Sequence, residues 1–342
     1  MIMGIILIIW RIPMFLKSSN RLILTITAFL TVVSLALTGC SDDNSSESSS
    51  SEERPVIVVT TNILGDVVAN VVGDNFDVEV IMPSGADPHD FQASAKQVAK
   101  IMSADLLVVN GANFEEGMAD VIEAAESDGV MILETISFVT QLDGDHDDHE
   151  GDDDHDDHEG HDHGGIDPHF FTDPSRMAQV VEGLSKFLVA NFPEIGEDSL
   201  ESTANSYKKQ LENLDAEVER TLFAIPPDSR VLVTNHAVFE YFAERYEFKV
   251  IGSIIPATST LSSASAQQIA SLADAIRSNQ VTAIFADASS SDSLAKALAG
   301  EVDGVKIVSL FTESLGSTNS SGPTYIDMVR SNSEAIASAL LG

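Results

Sequence analysis

Cysteine is nearly absent from this chain, since Cys40 is the only one among 342 residues. A single thiol excludes an internal disulfide framework and a zinc site built from several thiolates. Basic residues are also scarce: 18 Lys and Arg stand against 54 Asp and Glu, for a formal net charge of −36. A phosphate backbone or another anionic surface would repel such a chain, so nucleic acid is not an expected partner.

Residues 1–39 are interpreted as a secretory signal peptide. Lys17 and Arg21 precede an apolar run over residues 22–37, which is shorter than the ~20 residues that a membrane-spanning helix needs. The run ends in Leu-Thr-Gly-Cys, which resembles a bacterial lipobox and implies cleavage before Cys40 and lipidation of its sulfur. No apolar residue then occurs before Pro55, so residues 40–54 are predicted to be a disordered tether outside the cytoplasmic membrane.

From Pro55 onward, short apolar runs typical of buried strands alternate with segments that have helical periodicity. The alternation occurs twice, with four strand runs each time, which predicts two doubly wound α/β domains over residues 55–197 and 225–342. Between them, residues 198–224 carry one apolar stripe and predict a long helix that acts as a stiff strut. The stripe consists of Leu200, Ala204, Tyr207, Leu211, Leu214, Val218 and Leu222.

Three of the nine histidines are isolated, and each follows or ends a predicted strand. His89 and His169 lie in two Asp-Pro-His tripeptides, after the second and fourth strand runs, and His236 ends the first strand run of the second half. Ligands of open α/β sheets bind at the carboxyl ends of the strands. Any one of these residues alone fits a buried structural histidine, but the repeated tripeptide and the shared edge favour a common metal site between the domains. The Asp of each tripeptide is expected to accept a hydrogen bond from the free ring nitrogen.

Three imidazoles leave a tetrahedral ion one ligand short, so an acid or a water is expected in the fourth position. Asp287 is the first candidate because it ends a strand run of the second half. Asp292 is the alternative, and Glu240, one helical turn after His236, is a more distant third. A nitrogen-rich set with one carboxylate suits zinc better than manganese, which prefers oxygen ligands.

The remaining six histidines lie in one acidic segment, residues 143–165, which contains 12 acidic residues and the hexamer HDDHEG twice. Its acids raise the local concentration of cations, and its imidazoles are largely unprotonated at neutral pH because their ordinary pKa is ~6.5. The segment is interpreted as an accessory loop that gathers zinc weakly and passes it to the cleft, or senses external zinc. The alternative is an acidic solubilising insertion. Its histidines are His146, His149, His155, His158, His161 and His163.

Residues 55–342 resemble the metal-binding lipoproteins of zinc and manganese ABC importers. The matching segments, in order, are GADPHDFQASAKQVAKI, ADLLVVNGANFE, IDPHFFTDP, VLVTNHAVFEYFAERY, AIFADASS and TYIDMVRSN. The resemblance implies an extracytoplasmic, lipid-anchored monomer that delivers a metal ion to a membrane permease and its ATPase. The acidic histidine-rich insertion is a mark of the zinc branch of this family.

The resemblance also implies ligand roles for His89, His169 and His236, and the manganese branch typically carries Glu at the third position. The ligating Asp of that branch falls at Ser291, beside Asp292, so the fourth ligand stays open between Asp287 and Asp292. A manganese or iron carrier is the alternative within the family. A zinc hydrolase is disfavoured because the chain has no HExxH motif. An adhesin or storage protein is a third possibility.

Overall fold

The computed structural model describes residues 54–144 and 165–342. The predicted signal peptide, Cys40, nearly all of the tether and the six histidines of the acidic loop lie outside the described residues. Among the residues described, no helix combines the length and the apolar character that a membrane crossing requires.

The first half contains four parallel strands in the order β2-β1-β3-β4. These strands are β1 (Val56–Val59), β2 (Asp77–Val80), β3 (Leu106–Val109) and β4 (Ile132–Glu134). The helices around them are α1 (Asn62–Val72), α2 (Ala95–Ile101), α3 (Ala119–Ser127) and α4 (Pro174–Asn191). Thr61 caps α1 through its hydroxyl, and Asp173 caps α4 ahead of a proline in its first turn, as helix starts commonly require.

The second half repeats this order, as β6-β5-β7-β8, again with all strands parallel. The strands are β5 (Val231–His236), β6 (Lys249–Ile255), β7 (Ala283–Asp287) and β8 (Lys306–Leu310). The helices are α6 (Glu240–Tyr246), α7 (Ala266–Ser278), α8 (Ser293–Glu301) and α9 (Tyr325–Leu341). The prediction of two four-stranded α/β sheets is therefore confirmed.

One helix, α5 (Glu197–Leu222), connects the two halves, as predicted. Its buried residues are the seven of the predicted stripe. The stripe packs against α1, α4 and α9, so α5 is held along its length by helices from both halves. This packing, rather than the helix alone, fixes one sheet relative to the other.

The buried apolar side chains explain why most strand residues are apolar. In β1, Ile57 and Val59 face a core that also contains α1, α4, α5 and α9, while Val58 faces a second core with α2 and α3. In β7, Phe285 joins the first of these cores and Ile284 a third one beneath α7 and α8. The first core extends across both halves without interruption, which makes the described residues one compact unit.

Candidate metal centre

The isolated histidines lie at the carboxyl ends of the two sheets. His236 is the last residue of β5, and His89 lies in the turn that follows β2. His169 immediately precedes a short 3-10 helix, Phe170–Thr172, that leads into α4. A fourth residue, Glu313, follows β8 closely and completes the group. Two of the four side chains therefore come from each half.

These four side chains form a compact, water-excluded cluster. Each offers one nitrogen or oxygen such that all four atoms lie within 4.8 Å of one another, and each residue is at most 2% exposed. Glu313 Oε1 lies 2.8 Å from His236 Nε2 and 3.5 Å from His169 Nε2. Glu313 Oε2 lies 3.7 Å from His89 Nε2. A set of three imidazoles and one carboxylate at these separations matches a tetrahedral ion.

The hydrogen bonding of these atoms supports a metal rather than a purely structural cluster. The Nε2 atoms of all three histidines and both carboxylate oxygens of Glu313 are buried without a hydrogen-bond partner. The shortest contact among them, 2.8 Å between His236 Nε2 and Glu313 Oε1, is an ion pair only when the imidazole is protonated. Each unsatisfied buried polar atom costs about 1–3 kcal/mol, and a shared cation removes all of these costs together. The residues present therefore fit a divalent metal ion.

The outer nitrogens of two of the imidazoles are held by carboxylates. Asp167 Oδ1 lies 2.7 Å from His169 Nδ1 and also accepts a hydrogen bond from the His169 backbone N–H, at 2.9 Å. Asp87 makes only the backbone contact to His89, at 3.0 Å, and its other oxygen accepts from Thr260 Oγ1 of the second half, at 2.7 Å. The expectation of a ring contact thus holds for Asp167 and not for Asp87.

Burial and charge act in opposite directions on the protonation of the cluster. Burial lowers the pKa of His89. Burial has the same tendency at His169, but Asp167 and Glu313 outweigh it and raise the pKa of His169 to about 9. Burial favours the neutral acid at Glu313, yet His236 and His169 hold the pKa of this carboxyl well below its usual range. Without a metal, these contacts favour the ionised form of Glu313 and the protonated form of His169.

Glu313, and none of the three acids proposed from the sequence, lies in the fourth position of the cluster. Asp287 is 4% exposed. Burial raises the pKa of its carboxyl, and the nearby negative charge of Glu313 raises this pKa further. Its carboxylate is engaged by the backbone N–H and the hydroxyl of Ser289. Asp292 pairs with Lys296 at 2.7 Å on α8, and Glu240 begins α6; both lie outside the group.

The acids proposed from the sequence follow β5 or lie at or just after the end of β7, and none follows β8, so Glu313 is not among them. The strand run that becomes β8 is followed by Phe311, Thr312 and Glu313, so the carboxyl-end rule, applied to the last strand, includes this acid. The only other sequence cue is the polar character of residues 312–314 between two apolar neighbours. Burial of all three residues makes that polarity informative.

Comparisons with known proteins identify the family of this chain. Residues 57–339 match the protein family described as zinc-uptake complex component A, periplasmic. The chain belongs to this family. It is thus a metal-binding, substrate-binding protein of the ABC-importer class. Its relatives are named for zinc, manganese or iron.

Individual relatives differ in the metal that their names give. The manganese ABC transporter substrate-binding lipoprotein PsaA of Streptococcus anginosus is 26% identical over 289 residues, which cover 82% of this chain and 87% of PsaA. The iron-binding protein YfeA of Yersinia pestis is 28% identical over 285 residues, which cover 81% of this chain and 84% of YfeA. The solved structure of the periplasmic zinc-binding protein TroA of Treponema pallidum has a TM-score of 0.74 and 27% identity, covering 84% of this chain and 99% of TroA.

Proposed function

We propose that this family member captures Zn²⁺ outside the cytoplasmic membrane and delivers it to the permease of an ABC importer. His89, His169, His236 and Glu313 are the proposed ligands. The observation that carries the proposal is the convergence of four buried ligand atoms, two from each half, with no hydrogen-bond partners of their own. Closing all four positions with protein ligands leaves no open site for an activated water, which suits transport rather than hydrolysis.

Zinc is the proposed ion because the set contains three imidazoles and one carboxylate. Nitrogen-rich tetrahedral ligation suits zinc, whereas manganese favours more oxygen ligands and a higher coordination number. Manganese or iron is the second candidate, and the names of PsaA and YfeA favour it. A carboxylate that engages the ion through both oxygens would supply the additional oxygen ligand that manganese prefers.

The remaining parts of the chain have proposed roles in the same process. Lipidation of Cys40 would hold the protein at the membrane surface, where the permease is found. The acidic loop, with His146, His149, His155, His158, His161 and His163, is proposed to gather zinc with lower affinity than the centre. Its two ends pair with each other at its base, where the Gly144 N–H donates to the Gly165 carbonyl and the Asp167 N–H to Leu142. Because Asp167 also holds His169, the loop joins the centre directly.

Calorimetric titration of metal-free residues 41–342 with Zn²⁺, and separately with Mn²⁺, tests the proposal. One tight zinc site is expected, lost in His236→Ala and kept in a variant lacking residues 145–164. A tight site that disappears with the loop and survives His236→Ala would overturn the assignment. A tighter response to Mn²⁺ than to Zn²⁺ in the intact chain would favour the second candidate.

A further inference from the structure

We infer that Glu116 is a positioning residue for His89, and that it replaces the aspartate of the Asp87-Pro88-His89 tripeptide in this role. The inference rests on the proposed function, because it concerns how one of the proposed ligands is presented to the ion. Glu116 Oε1 lies 3.1 Å from His89 Nδ1. This arrangement leaves Nε2 directed at the cluster, where it has no hydrogen-bond partner.

The two Asp-Pro-His tripeptides differ in what their aspartates do. At the second tripeptide, one oxygen of Asp167 contacts both the backbone N–H and the ring Nδ1 of His169. At the first, Asp87 contacts the backbone N–H of His89 and turns its second oxygen to Thr260 across the cleft. His89 Nδ1 therefore needs another acceptor, and Glu116 supplies it from a different part of the chain.

The backbone around Glu116 is fixed by its two neighbours. Glu115 is buried and accepts hydrogen bonds from Thr60 Oγ1 at 2.6 Å and from the Asn110 backbone N–H at 2.7 Å. It thereby anchors the short 3-10 helix Glu116–Met118 to the ends of β1 and β3. The two adjacent acidic side chains thus point in different directions: Glu115 points to the ends of β1 and β3, and Glu116 points to His89.

Gly117 brings this short helix unusually close to the turn that carries His89. Its N–H donates to the His89 carbonyl at 3.0 Å. A Cβ at this position would lie 2.4 Å from the Phe91 carbonyl oxygen, so only glycine permits the approach. Phe114 packs edge-on against the His89 ring with centroids 5.1 Å apart. The ring is consequently held by a packing contact on one side and by Glu116 at its outer nitrogen.

Glu116 differs from Asp167 in one property that makes its role separable from stability. The Asp167 side chain is fully buried, whereas that of Glu116 is 24% exposed. Replacing Glu116 leaves a site that water can reach, so the fold is expected to tolerate the change. A carboxylate behind a ligating imidazole orients the ring and increases its basicity, and its loss typically lowers metal affinity about tenfold to a hundredfold.

The test uses residues 41–342 as Glu116→Ala, Glu116→Gln and the control Glu123→Gln, which removes one negative charge from the exposed side of α3. Zinc affinity is measured by competition with a chelator. We expect a loss of about tenfold to a hundredfold in Glu116→Ala. A smaller loss is expected in Glu116→Gln, whose amide oxygen still accepts from Nδ1–H, and no change in Glu123→Gln.

Long-range ¹H–¹⁵N NMR of the metal-free protein provides a readout that a purely structural role would not move. His89 is expected to carry its proton on Nδ1 in the unsubstituted chain and to lose this preference in Glu116→Ala. Equal zinc affinities in all four proteins, or an unchanged His89 tautomer, would overturn the positioning role while the zinc site stands. Absence of tight zinc binding from the unsubstituted chain would instead overturn the proposed function itself.

Discussion

Exchanging the carboxylate of Glu313 for an amide provides the sharpest test of the centre. Glu313→Gln keeps the size of the side chain but removes the charge that lies 2.8–3.7 Å from three ligand nitrogens. Removing one partner from a desolvated, closely spaced charge pair costs roughly 2–5 kcal/mol, which corresponds to a loss of about 30-fold to 5,000-fold in affinity. The site is 98–100% buried at all four residues, so solvent does not screen this loss.

Asp287→Asn is the matched control because it makes the same change at a buried acid just outside the group. Its charge acts on the ion only through space, so its loss is expected to cost no more than about tenfold, or ~1.4 kcal/mol. Zinc affinity would be measured by chelator competition on metal-free protein at constant pH and ionic strength. A large loss of zinc affinity in Asp287→Asn, together with tight binding by Glu313→Gln, would show that Asp287 is the fourth ligand and that Glu313 is not.

Proton release, metal-dependent stability and the hydroxyl of Tyr241 provide three more predictions. Because the pKa of His169 is about 9 without metal, zinc must displace a proton from its imidazole at neutral pH. Calorimetry at pH 7.5 in buffers of different ionisation enthalpy should therefore show the release of about one proton for each zinc ion bound. The zinc affinity should rise with pH until about 9. Zinc at about 1,000 times its dissociation constant should raise the free energy of unfolding by ~4 kcal/mol, and a chelator should reverse this shift in thermal denaturation. Tyr241→Phe should lower the free energy of unfolding by about 1–3 kcal/mol in chemical denaturation, since its hydroxyl accepts from the Leu142 N–H and donates to the Asp167 carbonyl; an unchanged midpoint would refute this.

Periodicity was sufficient to predict the architecture because both sheets are covered on both faces. The inner strands are therefore mostly apolar and the intervening helices carry an apolar stripe, so the alternation is visible in a single sequence. The stripe on α5 illustrates this: its seven predicted residues are the seven that are buried. Strand order within each sheet was not predicted, because the hydrophobic pattern of a strand does not show which other strands it pairs with.

The site was only partly predictable for a different reason. His89, His169 and His236 stand out because the chain has only nine histidines and the other six lie in one segment, whereas it has 54 acidic residues. Choosing among Asp287, Asp292 and Glu313 therefore required the side-chain directions. Likewise, two identical tripeptides gave no sign that Asp87 would contact the second half while Asp167 stayed with its own histidine.

The contacts between the halves bear on how the ion is released. Besides the ligands, Asp87 and Thr260 join across the cleft, and Asn62 bonds with both Ser314 Oγ and the Leu315 N–H, next to Glu313. Tyr325 reaches from α9 to the Phe171 carbonyl at 2.8 Å. With a continuous apolar core behind these bonds, wide separation of the halves would expose buried side chains at a cost of about 25 cal/mol per Å². Release is therefore expected to depend on local movement of the ligand-bearing turns. The turn of Glu313 is a candidate because it carries a ligand and is joined to the first half by hydrogen bonds, from Asn62 and the Gly85 N–H to Ser314 Oγ and from the Leu315 N–H to Asn62.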